Sequence, residues 1–302
     1  MKIKKNRAPA GADIVIPSYN RKELTIEAVT SVLEQTFTNI QIIIVEDGSS
    51  YLQNELPNTN KIKYYQLNKN QGPSFARNYG AQKGSNQYLA FLDSDDLWHK
   101  DKLLEQIEFL ENNPNINWVH TNETWFRNNT LVKQKSKHKK QGGVFIEKLM
   151  KTCLISPSSV LFRRPFWEKY GWFCESFRVA EDYELWLRLN LLFPVGYIEK
   201  PLTIKKAGTW PQLSQTLEID KQRVLALHKF YRTYKNHPEF KNIYQSWHSE
   251  ILRKIQILIK GAQKYKNKAK IIKYQNWERL FTISRTRAIF EASDGTRKNS
   301  SA

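Results

Sequence analysis

Apolar positions up to about residue 110 follow two alternating periods. Asp13–Pro17 and Gln87–Leu92 read as strands, Ile40–Val45 as a β-branched run covered on both faces, and Ile62–Leu67 as a further strand. Between them, Arg21–Gln35 carries Leu24, Ala28, Val32 and Leu33 at helical spacing, and Ser74–Lys83 reads as a second helix. This βαβα order predicts an α/β fold, a Rossmann-like and mostly parallel sheet flanked by helices. Residues from about 115 to 205 mix strands with short helices. After Leu213 the pattern turns helical, over Gln222–Lys235 and Asn242–Lys264; in the latter, Ile243, Trp247, Ile251, Ile255, Leu258 and Ala262 form one packing stripe. The predicted organisation is a flexible lead-in over 1–11, an α/β domain over 12–208 in halves of about 12–112 and 113–208, a basic helical extension over 209–290, and a disordered tail over 291–302.

Three predicted strands end in polar loops: Ser18-Tyr19-Asn20, Glu46-Asp47-Gly48-Ser49-Ser50 and Asp93-Ser94-Asp95-Asp96. Ligands of open α/β sheets gather at the carboxyl ends of strands, so the three loops predict one convergent site. The last loop ends an apolar run in clustered carboxylates, which repel one another unless a cation sits among them. Such hard oxygen donors suit Mg²⁺ or Mn²⁺, whose shells phosphate oxygens commonly complete. The competing reading makes Asp96 or Asp101 the N-cap of the following helix.

Other residues also carry two readings. Asp47 suits a hydrogen bond to a nucleobase N–H or a simple turn, and Tyr19 suits base stacking or packing. Gly72 and Pro73 open a helix with Arg77 one turn in, an arrangement for an anion or for pairing with a surface acid. Glu181 and Asp182 start another helix, where they complement the dipole or take a proton from a sugar hydroxyl.

Composition narrows the classes. The 302 residues are 40% hydrophobic and 13% aromatic, enough for a core. Cys153 and Cys174 make neither a disulfide framework nor a metal pattern and fit a reduced, cytoplasmic protein. No apolar run approaches a membrane span, and the N-terminus lacks the apolar centre of a signal peptide. From Lys221 onward, 19 Lys or Arg face 5 Asp or Glu, which is +14 of the net +19; a second basic knot spans Lys133–Lys140. Without interleaved base-stacking motifs this charge does not predict a nucleic-acid partner. It allows peripheral contact with an anionic membrane at its inner face.

Taken together, "IVIPSYNR", "VEDGSS", "GPSFARN", "FLDSDD" and "AEDYELWLRL" resemble, in order and spacing from about Asp13 to Lys206, the inverting family-2 glycosyltransferases of GT-A fold. The resemblance implies a nucleotide-diphosphate-sugar donor, with UDP favoured, and Mn²⁺ or Mg²⁺ at the DXD motif Asp93-Ser94-Asp95. It implies that Asp95 touches the metal and that Asp93 contacts the ribose or a metal-bound water. Pro17, Tyr19, Asp47, Arg77, Asp93 and Ser94 would surround the nucleotide, and Asp47 would read the base. Asp182 would be the catalytic base, with Glu181 beside it, and Ile155–Ser159 an acceptor-side segment. The implied acceptor is a hydroxyl of a glycan, a lipid-linked sugar or a protein, attacked in one inverting displacement.

Two departures from the family pattern stand out. Glu46 replaces a common Asp behind the base-reading acid, and the loop Ala207–Ser214 lacks a His near Thr209 that touches metal or diphosphate in some relatives. Of the alternatives, nucleotidyl transfer would need a Gly-rich, Lys-containing phosphate loop, which "IPSYNRKE" is not. A non-catalytic carbohydrate-binding or scaffold protein on the same fold would not need Asp93, Asp95 and Asp182 together.

Overall fold

The computed structural model describes residues 10–49, 55–210 and 219–297, with side chains in the last stretch through Thr282. The chain falls into two units, Met1–Gln215 and Thr216–Ala302.

The first unit begins β1 (Ala12–Ser18), α1 (Lys22–Leu33), β2 (Ile40–Glu46), β3 (Ile62–Gln66), α2 (Pro73–Gln82) and β4 (Tyr88–Phe91). These strands lie in the order β3-β2-β1-β4, all parallel, with Ile14 opposite Ile42 on one side and Ala90 on the other. Consecutive residues Ile14, Val15 and Ile16 and Ile42, Ile43 and Ile44 are fully buried. Helices cover both faces, so neither β1 nor β2 alternates in polarity. Ala28, Val29 and Val32 of α1 pack with the even-numbered positions of β1. On the other face α2 comes so close that a Cβ on Gly80 would meet Val15 Cγ1 at 2.4 Å. Parallel pairing sends the carboxyl ends of β1, β2 and β4 to one edge of the sheet.

The unit continues with β5 (Asp96–Trp98), α3 (Lys102–Asn112), β6 (Trp118–Arg127), β7 (Thr130–Val132), α4 (Ile146–Lys151), β8 (Val160–Arg163), α5 (Arg164–Phe166), α6 (Glu181–Leu192) and β9 (Gly196–Ala207). Beyond β4 the sheet runs β8-β6-β9-β5, with β7 on β6. Here parallel and antiparallel neighbours mix: β8 opposes β4 and β6, whereas β9 runs with β6. The parallel expectation thus describes the first four strands. The β6–β7 return is a two-residue hairpin with Asn128 and Asn129 both at positive φ, as a twist-matched turn requires. Asp96 belongs to β5, not to a helix cap; Asp101 is the N-cap of α3, but its side chain caps nothing.

The second unit is α7 (Ile219–Tyr234), α8 (Pro238–Lys264) and α9 (Lys268–Arg297). Trp247, Ile251, Ile255 and Ala262 of the predicted stripe are buried, and Trp247 Nε1 donates to Leu227 O at 2.9 Å. Helix α9 continues through Arg297, so residues 291–297 are helical where a tail was expected. Residues 298–302, and 1–9 of the expected lead-in, lie outside the described residues. Among the described residues, no helix is long and apolar enough to cross a membrane.

Candidate active site

The three polar strand ends meet as the parallel pairing requires. After β1, Ser18 O accepts from Asp47 N at 2.7 Å, and Asn20 N donates to Ser49 Oγ at 3.0 Å. Pro17 lies within β1, and Tyr19 is 46% exposed beside it. Glu46, the departure from the usual Asp, is buried and bonded by Ser49; burial pushes its carboxyl up. Ser50, the last residue of that motif, lies outside the described residues.

Asp47 accepts from the backbone N–H of Gln71 at 2.7 Å and of Gly72 at 2.8 Å, one on each oxygen. Gly72, at φ +94°, then turns the chain into α2. The anion that this helix N-terminus favours is therefore supplied by the chain itself. Burial raises the Asp47 carboxyl even though both amides favour its charged form.

At the end of β4, Arg77 reaches from α2 and joins the two acidic motifs. Its Nη2 donates to Asp93 Oδ1 at 2.6 Å and its Nη1 to Glu181 Oε1 at 2.7 Å, with the arginine side chain 5% exposed. Neither sequence reading anticipated this: Arg77 pairs with partly buried Asp93 and buried Glu181, acids of two different motifs, and not with a surface acid. Its guanidinium also lies 5.2 Å from the Phe173 ring centroid. Burial pushes Asp93 up, but Arg77 and Lys205 outweigh it and hold the carboxyl below its usual range. For Glu181 burial wins over Arg77, helped by repulsion from Asp182, and its carboxyl rises to about 7.

Lys205 on β9, which the sequence did not single out, lies 2.5 Å from Asp96 Oδ2 and 3.8 Å from Asp93 Oδ2. Asp95 pairs with Arg21 at 2.9 Å and accepts from Trp210 Nε1 at 3.1 Å. Four carboxylates, Asp93, Asp95, Asp96 and Glu181, are thus met by Arg21, Arg77 and Lys205. Arg21 and Lys205 escaped notice because an exposed-looking Arg and one Lys of a charged strand carry no local pattern. Trp210 occupies the loop that lacks the His; Pro211–Ser214 of that loop lie outside the described residues.

Asp182, in the first turn of α6, accepts from Tyr183 N at 2.7 Å and from Cys153 Sγ at 3.3 Å. Among the described residues neither Cys153 nor Cys174 forms a disulfide. The expected acceptor-side segment lies beneath the acidic loop: Ser158 Oγ donates to Asp96 at 2.5 Å and accepts from Asp93 N at 3.1 Å. Trp98 Nε1 also bonds Ser158 O at 2.7 Å. Ser158 and Ser159 are wholly buried, and buried Ser94 sits between the DXD acids. Ser156 bonds Glu123, whose buried pair with Lys140 spans 3.0 Å.

The donor set suits a small divalent ion that shares its shell with a ligand. Both bonds to Asp95 fall on Oδ2, which leaves Oδ1 without a protein partner among the described residues, and Asp96 Oδ1 is buried without a hydrogen bond. Among the described residues, no three His, Cys, Asp or Glu side chains are grouped to hold an ion alone. One or two carboxylates completed by phosphate oxygens is the pattern expected of Mg²⁺ or Mn²⁺.

Comparison with known proteins agrees with this geometry. The profile of Glycosyl transferase family 2 matches residues 13–171. An uncharacterized glycosyltransferase of Rickettsia conorii is 36% identical over 197 residues, 63% of this chain but 32% of that protein, so the chain spans about a third of that relative. The UDP-Glc:alpha-D-GlcNAc-diphosphoundecaprenol beta-1,3-glucosyltransferase WfgD of Escherichia coli is 31% identical over 180 residues, 58% of this chain and 68% of that one. Staphylococcus aureus TarS, solved with UDP-GlcNAc, superposes with a TM-score of 0.60 at 17% identity over 92% of both chains. The mannosyltransferase PcManGT of Pyrobaculum calidifontis, solved with GDP-Man and Mn²⁺, gives 0.55 at 15% identity over 94% of this chain and 88% of that one. These two likenesses establish a shared fold. With a family profile over more than half its length, on a parallel nucleus whose strand ends carry the family's acidic motifs, the chain belongs to glycosyltransferase family 2 and has the GT-A fold.

Proposed function

We propose that this chain transfers a sugar from a nucleotide-diphosphate sugar, with UDP as the favoured carrier, to an acceptor hydroxyl with inversion at the anomeric carbon. The observation that carries the reading is the Asp93–Arg77–Glu181 bridge, which ties the DXD loop to the helix whose first turn carries Asp182. The same residue thereby positions the donor-side acids and the candidate base. Asp95, assisted by Asp93, would hold Mn²⁺ or Mg²⁺, which when bound offsets charge on the diphosphate leaving group. Asp47 keeps the loop at Gln71–Gly72 in place, and the second lone pairs of its oxygens remain for a base N–H. Tyr19 offers an exposed ring beside that position, and Pro17 and Ser94 shape the backbone under the nucleotide.

Asp182 takes the proton of the acceptor hydroxyl as its oxygen attacks the anomeric carbon from the face opposite the departing diphosphate. One bond forms as the other breaks, so no sugar–enzyme intermediate arises. Glu181 plays a different part. Bound to Arg77 and buried, it anchors the base's helix rather than meeting the acceptor. The names of the E. coli glucosyltransferase and of TarS with UDP-GlcNAc support a UDP-sugar donor. The former also supports a lipid-diphosphate-linked sugar among the glycan, lipid-linked and protein acceptors. The domain reading follows: a donor half over about 12–112 and an acceptor half over about 113–208.

Calorimetric titration of UDP with and without Mn²⁺ tests the donor site. Wild type should bind UDP with metal dependence, and Asp95→Ala should lose that dependence. Asp182→Asn should bind UDP normally and lose about 10²-fold or more in transfer rate. An Asp182→Asn enzyme with near-normal turnover would remove the base assignment. Failure of UDP-, GDP- and dTDP-sugars alike would favour a non-catalytic carbohydrate-binding protein.

A further inference from the structure

The turn that joins α8 to α9 combines two features that a soluble helical unit has no need to place together. Between Glu250 and Glu278 the chain contains no acidic residue, while six lysines fall within Lys260–Lys273. At the same turn Tyr265 is 74% exposed and Ile272, one turn into α9, is 60% exposed. The backbone pins this tip. Tyr265 N and Asn267 N bond back to Gly261 O and Ala262 O of α8, Lys266 takes a positive φ, and Asn267 Oδ1 accepts from Lys270 N at 3.0 Å. Tyr274, by contrast, is buried, so α9 has an inner face and Ile272 is not on it. Among the described residues Lys264, Lys266, Lys268 and Lys273 have no carboxylate partner, although Lys264 and Lys273 stand near the Tyr265 and Trp277 rings.

We propose that the α8–α9 tip is a docking surface for an anionic lipid bilayer, with Tyr265 and Ile272 entering the headgroup boundary and the lysines over acidic headgroups. Charge complementarity and the exposed apolar side chains together select this occupant. A nucleic acid would use the charge but leave Ile272 without a role, whereas an amphipathic membrane surface uses both. The lysine stems add apolar length while their ammonium groups stay among the phosphates. This inference stands on the second unit alone and does not depend on the donor site.

The test is flotation of the full chain with mixed phosphatidylglycerol–phosphatidylcholine vesicles and with pure phosphatidylcholine vesicles. Wild type should bind the anionic vesicles at low salt, release as salt rises, and ignore the neutral ones. The variant K264Q/K266Q/K268Q/K273Q should lose on the order of 10³-fold in partitioning, from about a fivefold effect per lysine. Y265S/I272S should lose roughly tenfold and keep the salt dependence. Replacing Lys133, Lys135, Lys137 and Lys139 of the other basic knot by Gln should change nothing. All substitutions are at exposed positions, and helicity and thermal melting by circular dichroism verify that each variant is folded. No wild-type binding to anionic vesicles at low salt would overturn the proposal. So would unchanged binding in both tip variants, loss in the Lys133–Lys139 variant, or tighter binding to duplex DNA than to vesicles. UDP titration is unaffected by any of these outcomes, so failure here is separable from failure of the donor-site reading.

Discussion

Arg77→Met removes the charge that joins the two acidic motifs while keeping much of the side-chain length. The guanidinium is 5% exposed and serves Asp93 at 2.6 Å and Glu181 at 2.7 Å. With charge centres about 4 Å apart and an effective dielectric near 20, each pair is worth about 4 kcal/mol gross. The arginine's own desolvation offsets much of that sum, and removing one partner of a buried pair costs about 3–5 kcal/mol net, because Glu181 loses its partner and Asp93 keeps only the more distant Lys205. Urea unfolding at pH 8, followed by tryptophan fluorescence, should register this. With a slope of roughly 2–3 kcal/mol/M, the midpoint should fall by about 1–2 M. The triple variant R77M/D93N/E181Q, which neutralises both acids at nearly constant shape, should regain most of the loss. A single variant that loses less than about 1 kcal/mol would refute the charge argument. A triple variant no more stable than the single one would refute it as well, leaving only lost packing against Phe173.

Two further outcomes follow from the same site. Burial raises Glu181 from 4.5 unfolded to about 7 folded, so its contribution is complete below the unfolded value and is lost as pH rises through the folded one. Stability should therefore decline between about pH 5 and pH 8, by up to about 1.4 kcal/mol per pH unit from this group, and Glu181→Gln should flatten the slope; an identical slope in the variant would contradict the assignment. A Cβ on Gly208 would meet the Trp210 ring at 2.0 Å, so Gly208→Ala should push the indole away from Asp95. Loss of that charge-assisted bond should weaken Mn²⁺-dependent UDP binding about tenfold, as should Trp210→Phe; unchanged affinity in both would show that Trp210 does not position Asp95.

Much of the first unit was legible in order and type. β1, β2, β4, α1 and α2 lie where period and β-branching placed them, because both-face burial leaves a continuous apolar signal. Convergence of Asp47 and Asp93 at one sheet edge followed from parallel pairing alone. Assigning Asp96 between cap and strand was beyond the local pattern: β5 is three residues long, and only its antiparallel partner β9 makes it a strand. Helix α9 lies mostly within the expected helical extension but received no bounds of its own, because its polar composition, rich in Lys, presents few apolar positions to a periodicity argument.

The division has a physical basis. Sequence by itself determined which segments are apolar at which period, where strands break into acids, and how much positive charge follows Lys221, since these are local properties of neighbouring residues. Tertiary structure decided the partners: Arg77 between Asp93 and Glu181, Lys205 against Asp96, and Arg21 and Trp210 on Asp95. Those pairs join residues up to 115 positions apart. A buried charge takes whichever opposite charge the fold delivers within bonding distance, and packing of the whole sheet, rather than spacing along the chain, sets that distance.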